Sequence, residues 1–272
     1  MNQGLYSAYL GMRARQHALD TIANNIANVS TSGFKSDRPT NRSLESFEVQ
    51  AQRLAEATGE SAAVGTSDPN DANDPASAQL NPPQNRGLGV LTGGATNYAQ
   101  GAIKETGRAL DVAIAGEGYL VVQTPRGERY TRSGALTLNA DGQLVTQRGD
   151  LVIGQQRGPI TVPPGEVNVG DDGTISVNGR QIDRLRISTF RDSRAALAKE
   201  GDALFVATGA ERPAEANSAR VVQGALEMSN VNPVSELAAM MQNGREFDSL
   251  QRSMTMLMND LGRKVASEIG KI

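Results

Sequence analysis

The side chains able to carry a reaction are few: there is one histidine, His17, and there is no cysteine. A Ser-His-Asp relay needs a histidine held between a hydroxyl and a carboxylate. His17 sits instead in a helical pattern between Gln16 and Ala18 and reads as a surface residue. Without cysteine, thiol nucleophiles, disulfides and cysteine-ligated zinc are excluded. The run Asp68 to Asp74 has the look of a calcium loop. It places Ala72 at the fifth loop position, where an acidic or amide ligand belongs, and has no central glycine, so it reads as solvated linker. Gly87-Leu88-Gly89-Val90-Leu91-Thr92 starts like a dinucleotide fingerprint but ends in threonine, with no helical pattern behind it. Asn28-Val29-Ser30 and Asn41-Arg42-Ser43 are formal glycosylation acceptors that matter only in a glycosylating host. No acidic pair stands in a recognisable glycosidase context, which leaves a cell-wall-cleaving enzyme without its carboxylates. The expectation is therefore no enzyme: no catalytic residue, no cofactor and no metal site.

With no reaction to position, the elements themselves become the informative feature. The chain of 272 residues is 38% apolar but only 4% aromatic and lacks tryptophan, so Val, Ile, Leu, Ala and Met must build its core. Its 29 glycines suit a turn-rich β protein. A net charge of −3 provides no basic footprint for nucleic acid and no polybasic signal for a membrane surface. A membrane span needs a run of roughly 18 apolar residues, and no such run occurs. The N-terminal residues lack a basic segment followed by an apolar one, so no cleaved secretory signal is expected.

Four regions separate by pattern. From Gln3 to Val29, Leu5, Met12, Leu19 and Ile26 recur every seven residues, with Ala8, Ile22 and Val29 alongside and Arg15 interrupting. This predicts a helix of roughly 40 Å that wants a partner along its length. Gly33 is placed to end it, with Phe34 free to fold back on Val29. Residues 56–86 carry no Lys or Arg before Arg86, are alanine- and proline-rich, and read as a flexible linker.

From about Gly87 to Gln223 the period falls to two. Strands are predicted at 110–114, 119–122, 136–138, 144–146, 151–153, 160–162, 174–177 and 185–188. Arg126-Gly127, Asp141-Gly142, Asp172-Gly173 and Asn178-Gly179 serve as turns. Strands so spaced make an antiparallel sandwich or open barrel. From Ser229 onwards the helical period returns. Met240, Phe247, Met254 and Leu261 recur every seven, flanked by Leu237, Leu250 and Leu257. The methionines read as seam-fillers, not cofactor ligands. Asn232 followed by Pro233, with Glu236 in the first turn, is a start signal.

The fold class expected is α+β: long N- and C-terminal helices pairing as a coiled coil around a central antiparallel β sandwich or open barrel. The boundaries are 1–35, 36–86, 87–228 and 229–272. On pattern alone, two arrangements stay open: helices that pair with each other and with neighbouring copies, or helices that both pack on the sheet of an ordinary domain.

Particular residues bear on that choice. Ala23-Asn24-Asn25-Ile26-Ala27-Asn28-Val29-Ser30-Thr31-Ser32-Gly33-Phe34-Lys35 resembles the N-terminal signature of flagellar basal-body rod and hook proteins. Val222 to Val234, with Gly224-Ala225-Leu226-Glu227-Met228-Ser229-Asn230-Val231-Asn232-Pro233, is similar to the C-terminal motif of the same family. Leu110 to Tyr119 and Tyr130-Thr131-Arg132-Ser133-Gly134 resemble its first β domain, in the family's order.

That resemblance implies a structural subunit exported unfolded through the flagellar type III apparatus, without a cleaved signal. It would polymerise in the periplasmic rod, with its helices on the inside of a tube. Gly158 to Pro163 and Asp172 to Ser176 look most like the proximal end of such a rod, with the distal rod as the alternative. The partners implied are other rod subunits and copies of the chain itself, with no nucleic acid and no membrane insertion. The expected subunit-interface residues are Leu5, Met12, Leu19, Ile22, Asn24, Asn25, Ile26, Asn28, Gly33 and Phe34. Near the other end they are Asn230, Asn232, Leu237, Met240, Phe247, Leu250, Met254, Leu257 and Leu261. A secreted β-domain binding module is the competing class, and it predicts a small closed oligomer.

Overall fold

A computed structural model describes residues 2–44, 89–201, 203–209, 213–215 and 219–269. The linker expected at 56–86 lies outside them. The chain begins with helix α1, Asn2–Ala27, and ends with helix α3, Pro233–Ile269. Among the described residues between them lie short strands and one helical turn, so the class is α+β as expected.

The start of α3 follows its sequence signal. Asn232 Oδ1 accepts the amides of Val234 at 3.1 Å and Ser235 at 3.3 Å, satisfying donors that the first turn leaves without helical acceptors. Pro233 is the first helical residue, where its missing N–H costs nothing. Neither helix is long and apolar enough to cross a membrane among the described residues.

The chain divides into two compact units. One comprises residues 1–18, 39–93 and 243–272. Within it Arg15 Nη2 lies 2.7 Å from Glu246 Oε2, and Arg15 Nη1 donates to Asn243 Oδ1 at 3.2 Å. Arg15 breaks the apolar stripe of α1 because it pairs across to α3. Gly11 faces Leu250, whose Cδ1 would lie in ordinary contact, at 3.6 Å, with a methyl placed there.

The second unit, residues 19–38 and 94–242, holds the β structure. Its strands are β3 (Ile103–Glu105), β4 (Val112–Ala115), β5 (Tyr119–Thr124), β6 (Gly127–Thr131), β7 (Leu136–Leu138), β8 (Leu144–Thr146) and β9 (Leu151–Val152). There follow β10 (Val167–Val169), β11 (Thr174–Val177), β12 (Arg180–Arg184), β13 (Ile187–Thr189), the turn α2 (Ser193–Ala196), β14 (Leu197–Lys199), β15 (Leu204–Ala207), β16 (Ala214–Glu215), β17 (Arg220–Gln223) and β18 (Ala225–Glu227). Strands β1 (Asp37–Leu44) and β2 (Gly89–Thr96) pair as a separate ribbon.

The largest sheet has nine strands along the order β14-β15-β6-β5-β9-β8-β7, with β13 beside β5 and β16 beyond β13. Strands β10-β11-β12 form a meander, and β17 pairs with β4 and β18 with β3. Every register read is antiparallel. The sheets are open, with no closed barrel among the described residues.

Alternation along β5 explains two cores. Leu120 and Val122 face a large aliphatic cluster with Val112, Ile114, Leu136, Ile160 and Ile175. Tyr119 and Val121 face an aromatic one with Tyr130, Phe190 and Phe205. A strand buried on both faces loses its polar alternation, which is why β5 reads as a continuous apolar run.

Of the predicted strands, 160–162 is not one. Pro159 and Pro163 flank it and lack amide donors; Thr161 makes an isolated bridge to Gln143 and Pro159 one to Ile153, while Ile160 and Val162 are buried. The Asn178-Gly179 turn has φ of 52° and 79°, the double positive value that the tightest hairpins require.

Candidate functional site

Helix α1 unwinds through Asn28–Ser32, and Gly33 redirects the chain at φ 68°. A methyl at Gly33 would overlap the backbone of Arg132 and Ser133, so glycine is dictated by both conformation and close approach. The Gly33 amide donates to the Glu227 carbonyl at 2.8 Å, and the Ser32 and Ser133 hydroxyls lie 2.7 Å apart.

Just beyond it three charges are buried together. Lys35, Glu227 and Arg132 are 0%, 1% and 6% exposed. Lys35 Nζ donates to Glu227 Oε1 at 2.6 Å and to the Ala99 carbonyl at 2.7 Å. Arg132 Nη1 donates to Glu227 Oε2 at 3.0 Å and the Ile114 carbonyl at 3.2 Å, and Nη2 donates to the Gly116 carbonyl at 2.7 Å. The Gly101 amide adds a further donor to Glu227 Oε1 at 3.0 Å.

One carboxylate is thus shared by two cations that have lost their water. Burial pulls the Lys35 ammonium below the usual lysine range; Glu227 opposes this and Arg132 reinforces it. Such a cluster is costly to assemble and costlier to break, because removing one member strands the others.

The motif asparagines act as pieces of backbone. Asn25 is buried; its Oδ1 accepts the Asp37 amide at 2.9 Å and its Nδ2 donates to the Asp37 carbonyl at 2.8 Å. Nδ2 also reaches Glu236 Oε1 of α3 at 3.3 Å. Asn230 Oδ1 accepts the Ser36 amide at 2.8 Å, while its Nδ2 donates to the carbonyls of Asn97 and Ala99. Phe34 is buried beneath Lys199, whose Nζ stands 3.8 Å from the ring centre, 2.8 Å from the Lys35 carbonyl and 2.7 Å from Asp37 Oδ2.

The predicted site residues therefore do not all come together. Asn25, Gly33, Phe34 and Asn230 converge on this junction within the chain, and Ile22 is buried on α1 nearby in sequence. Asn28 is local, its Nδ2 donating to the Asn24 carbonyl and its Oδ1 accepting from Thr31, and Asn24 is exposed. Asn232 caps α3.

Met12, Leu19, Ile26, Phe247, Leu250 and Met254 are half-buried, whereas Leu237, Met240 and Leu257 are exposed. The side chains of Leu5 and Leu261 lie outside the described residues, as do Asp68 to Asp74. The most buried of the described side chains of α1, Ala14, Ala18, Ile22 and Asn25, run beside the seam predicted through Met12, Leu19 and Ile26. Alanines let two backbones approach more closely than leucines would, and the hydrophobic period alone does not weigh them. His17 is half-buried, more enclosed than its sequence setting suggested.

Lys35, Arg132 and Glu227 were visible inside the quoted motifs, but nothing in a linear pattern pairs residues almost two hundred positions apart. The three charges pair with one another and with neighbouring carbonyls. Among the described residues no group of His, Asp or Glu could hold a metal ion.

Comparison with known proteins follows the same three segments. Residues 5–35 match the family described as flagella basal body rod protein. Residues 113–177 match the flagellar hook protein FlgE/F/G D1 domain, and residues 222–261 match the flagellar basal body rod FlgEFG protein C-terminal. A flagellar basal-body rod protein FlgF of Caulobacter vibrioides is 33% identical, covering 100% of both chains. The chain belongs to the flagellar basal-body rod protein family.

A rod protein FlgG of Bacillus subtilis is 34% identical over 94% of this chain and 95% of its own. A FlgF of Rhizobium meliloti is 30% identical over 96% and 93%. Rod-family proteins are structural, and the role of this chain is structural, not enzymatic. The junction gains meaning from the match. Lys35 closes the first rod-family segment, Arg132 lies in the D1 segment and Glu227 in the C-terminal one. Each segment contributes one charge to the cluster.

Proposed function

We propose that this rod protein is a subunit of the proximal flagellar rod, exported by the flagellar type III apparatus into the periplasm and polymerised there to transmit torque. Its α1 and α3 pair as a coiled coil on the inner side of the tube, and the central β domain, residues 87–228, lies outside. Other rod subunits and further copies of the chain pack against the remaining helix faces.

The observation that carries this reading is the outer face of α3. Val234 is 77% exposed, Leu237 54%, Met241 55% and Met258 55%. Large apolar side chains so displayed mark a surface built to be covered. The full-length likeness to FlgF of Caulobacter vibrioides supports the proximal position; the FlgG of Bacillus subtilis, equally similar, supports the distal rod as the alternative.

Deletion of the gene, followed by electron microscopy of isolated basal bodies, separates the readings. Loss of everything beyond the innermost rod is expected for a proximal subunit. A rod truncated only at its outer end would assign the chain to the distal segment, and an intact rod would end the proposal.

A further inference from the structure

Arg15 of α1 reaches Glu246 of α3 and Gly11 faces Leu250, so the two helices run antiparallel in one register. Continued along the pair, that register sets Tyr9 level with Arg252, Arg13 with Asp248 and Gln16 with Arg245. All six side chains are exposed. At about 3.6 residues per turn, Tyr9, Arg13 and Gln16 form a stripe opposite the buried Ala14 and Ala18, and Arg245, Asp248 and Arg252 form one opposite Leu250. Each helix therefore carries an outward stripe on the side away from the seam it shares with the other.

The charges on these stripes are unused. Among the described residues, none of Arg13, Arg245, Asp248 and Arg252 makes an ion pair within the chain. Laid face to face in the same register, the stripes put Arg13 against Asp248 and the Tyr9 ring against the Arg252 guanidinium, a cation over an aromatic face. Gln16 meets Arg245 without adding a like charge. Sliding by one helical turn either way sets Arg13 against Arg245 or Arg252, which opposes like charges. The two stripes of one chain look away from each other, so its own helices cannot join them. A second copy can.

We infer that the outward stripe of α1 docks on the outward stripe of α3 of a second copy, antiparallel and side by side, with Arg13 paired to Asp248 of that copy. The inference rests on the reading above that copies of the chain pack against one another. The two surfaces differ, so each copy keeps one stripe open for the next, and α1 and α3 alternate along the row. Such a contact builds a ring or an open filament, not a closed pair.

The chain has no cysteine of its own, which makes disulfide trapping a direct test. Full-length Arg13→Cys and Asp248→Cys are co-expressed in cells lacking the gene, and isolated basal bodies are oxidised and run on a gel without reductant. A dimer containing both variants, identified by its peptides, is expected, and it can form only between copies. Neither variant alone should give it, nor should Arg13→Cys with Gln251→Cys, an exposed position about a quarter-turn off the α3 stripe. Basal bodies that contain both variants but no dimer overturn the contact and leave the subunit assignment standing. So does a dimer equally abundant from one variant alone or from the Gln251→Cys mixture. Basal bodies without the chain overturn the assignment, and the contact with it.

Discussion

Glu227 is the residue on which the most groups depend. It accepts from Lys35, Arg132 and the Gly101 amide while 1% exposed. Glu227→Gln keeps the shape, removes the only negative charge and leaves two buried cations unopposed, a loss of about 3–5 kcal/mol. Urea unfolding should show that loss, and a midpoint within a few tenths of a molar of the parent would contradict the cluster's role.

Tyr98 makes a pH-dependent prediction. Burial, with Tyr119 adding to it, pushes its hydroxyl up to about 12, and that hydroxyl donates to the Leu197 carbonyl at 2.8 Å. An unfolded tyrosine ionises near 10. Because the folded value is the higher one, the contribution is complete below about pH 10 and is lost as pH rises through about 12. Unfolding midpoints measured across that window should fall, and Tyr98→Phe should flatten the fall. Burial raises Tyr119 and Tyr130 as well, so some slope remains in the variant.

At the scale of elements, legibility tracked how local each cause is. The Asn232 cap, Pro233 and the Asn178-Gly179 turn depend on neighbours within a few residues and stand where the pattern put them. Strands β5, β7, β8 and β11 announced themselves through apolar runs between turn residues. Strand β6, Gly-Glu-Arg-Tyr-Thr, did not, because Arg129 is held there through Glu200 and not through an apolar face. Strands β3 and β18 pair across more than a hundred residues, which no local rule anticipates.

The junction was the least legible feature for the same reason. Asn25 and Asn230 read as polar residues with partners elsewhere, and the structure seats them on the backbone of residues 36–37 and 97–99 of the same chain. The helices were legible in extent but less so in facing, since Ala14 and Ala18 carry little hydrophobic weight in a pattern yet are buried in space.

At the scale of the whole molecule, the question is when the two terminal helices become ordered. The β unit has two cores of its own, together more than a dozen fully buried aliphatic and aromatic side chains. Helix α3, 37 residues long, has none fully buried among its described side chains, and several of its largest apolar groups face water. Its pairing with α1 includes a half-exposed Arg15–Glu246 ion pair, a contact worth only about 0–1 kcal/mol. Helix formation repays its ordering entropy mainly through a buried face, so most of that repayment must come from neighbours in the polymer. Circular dichroism at 222 nm should then show less helix in the dilute chain than α1 and α3 together would give, rising on assembly, while the β unit keeps its hydrogen-exchange protection throughout. Equal helical signal before and after assembly would mean that the pair is already ordered alone and that the exposed face of α3 serves recognition without folding.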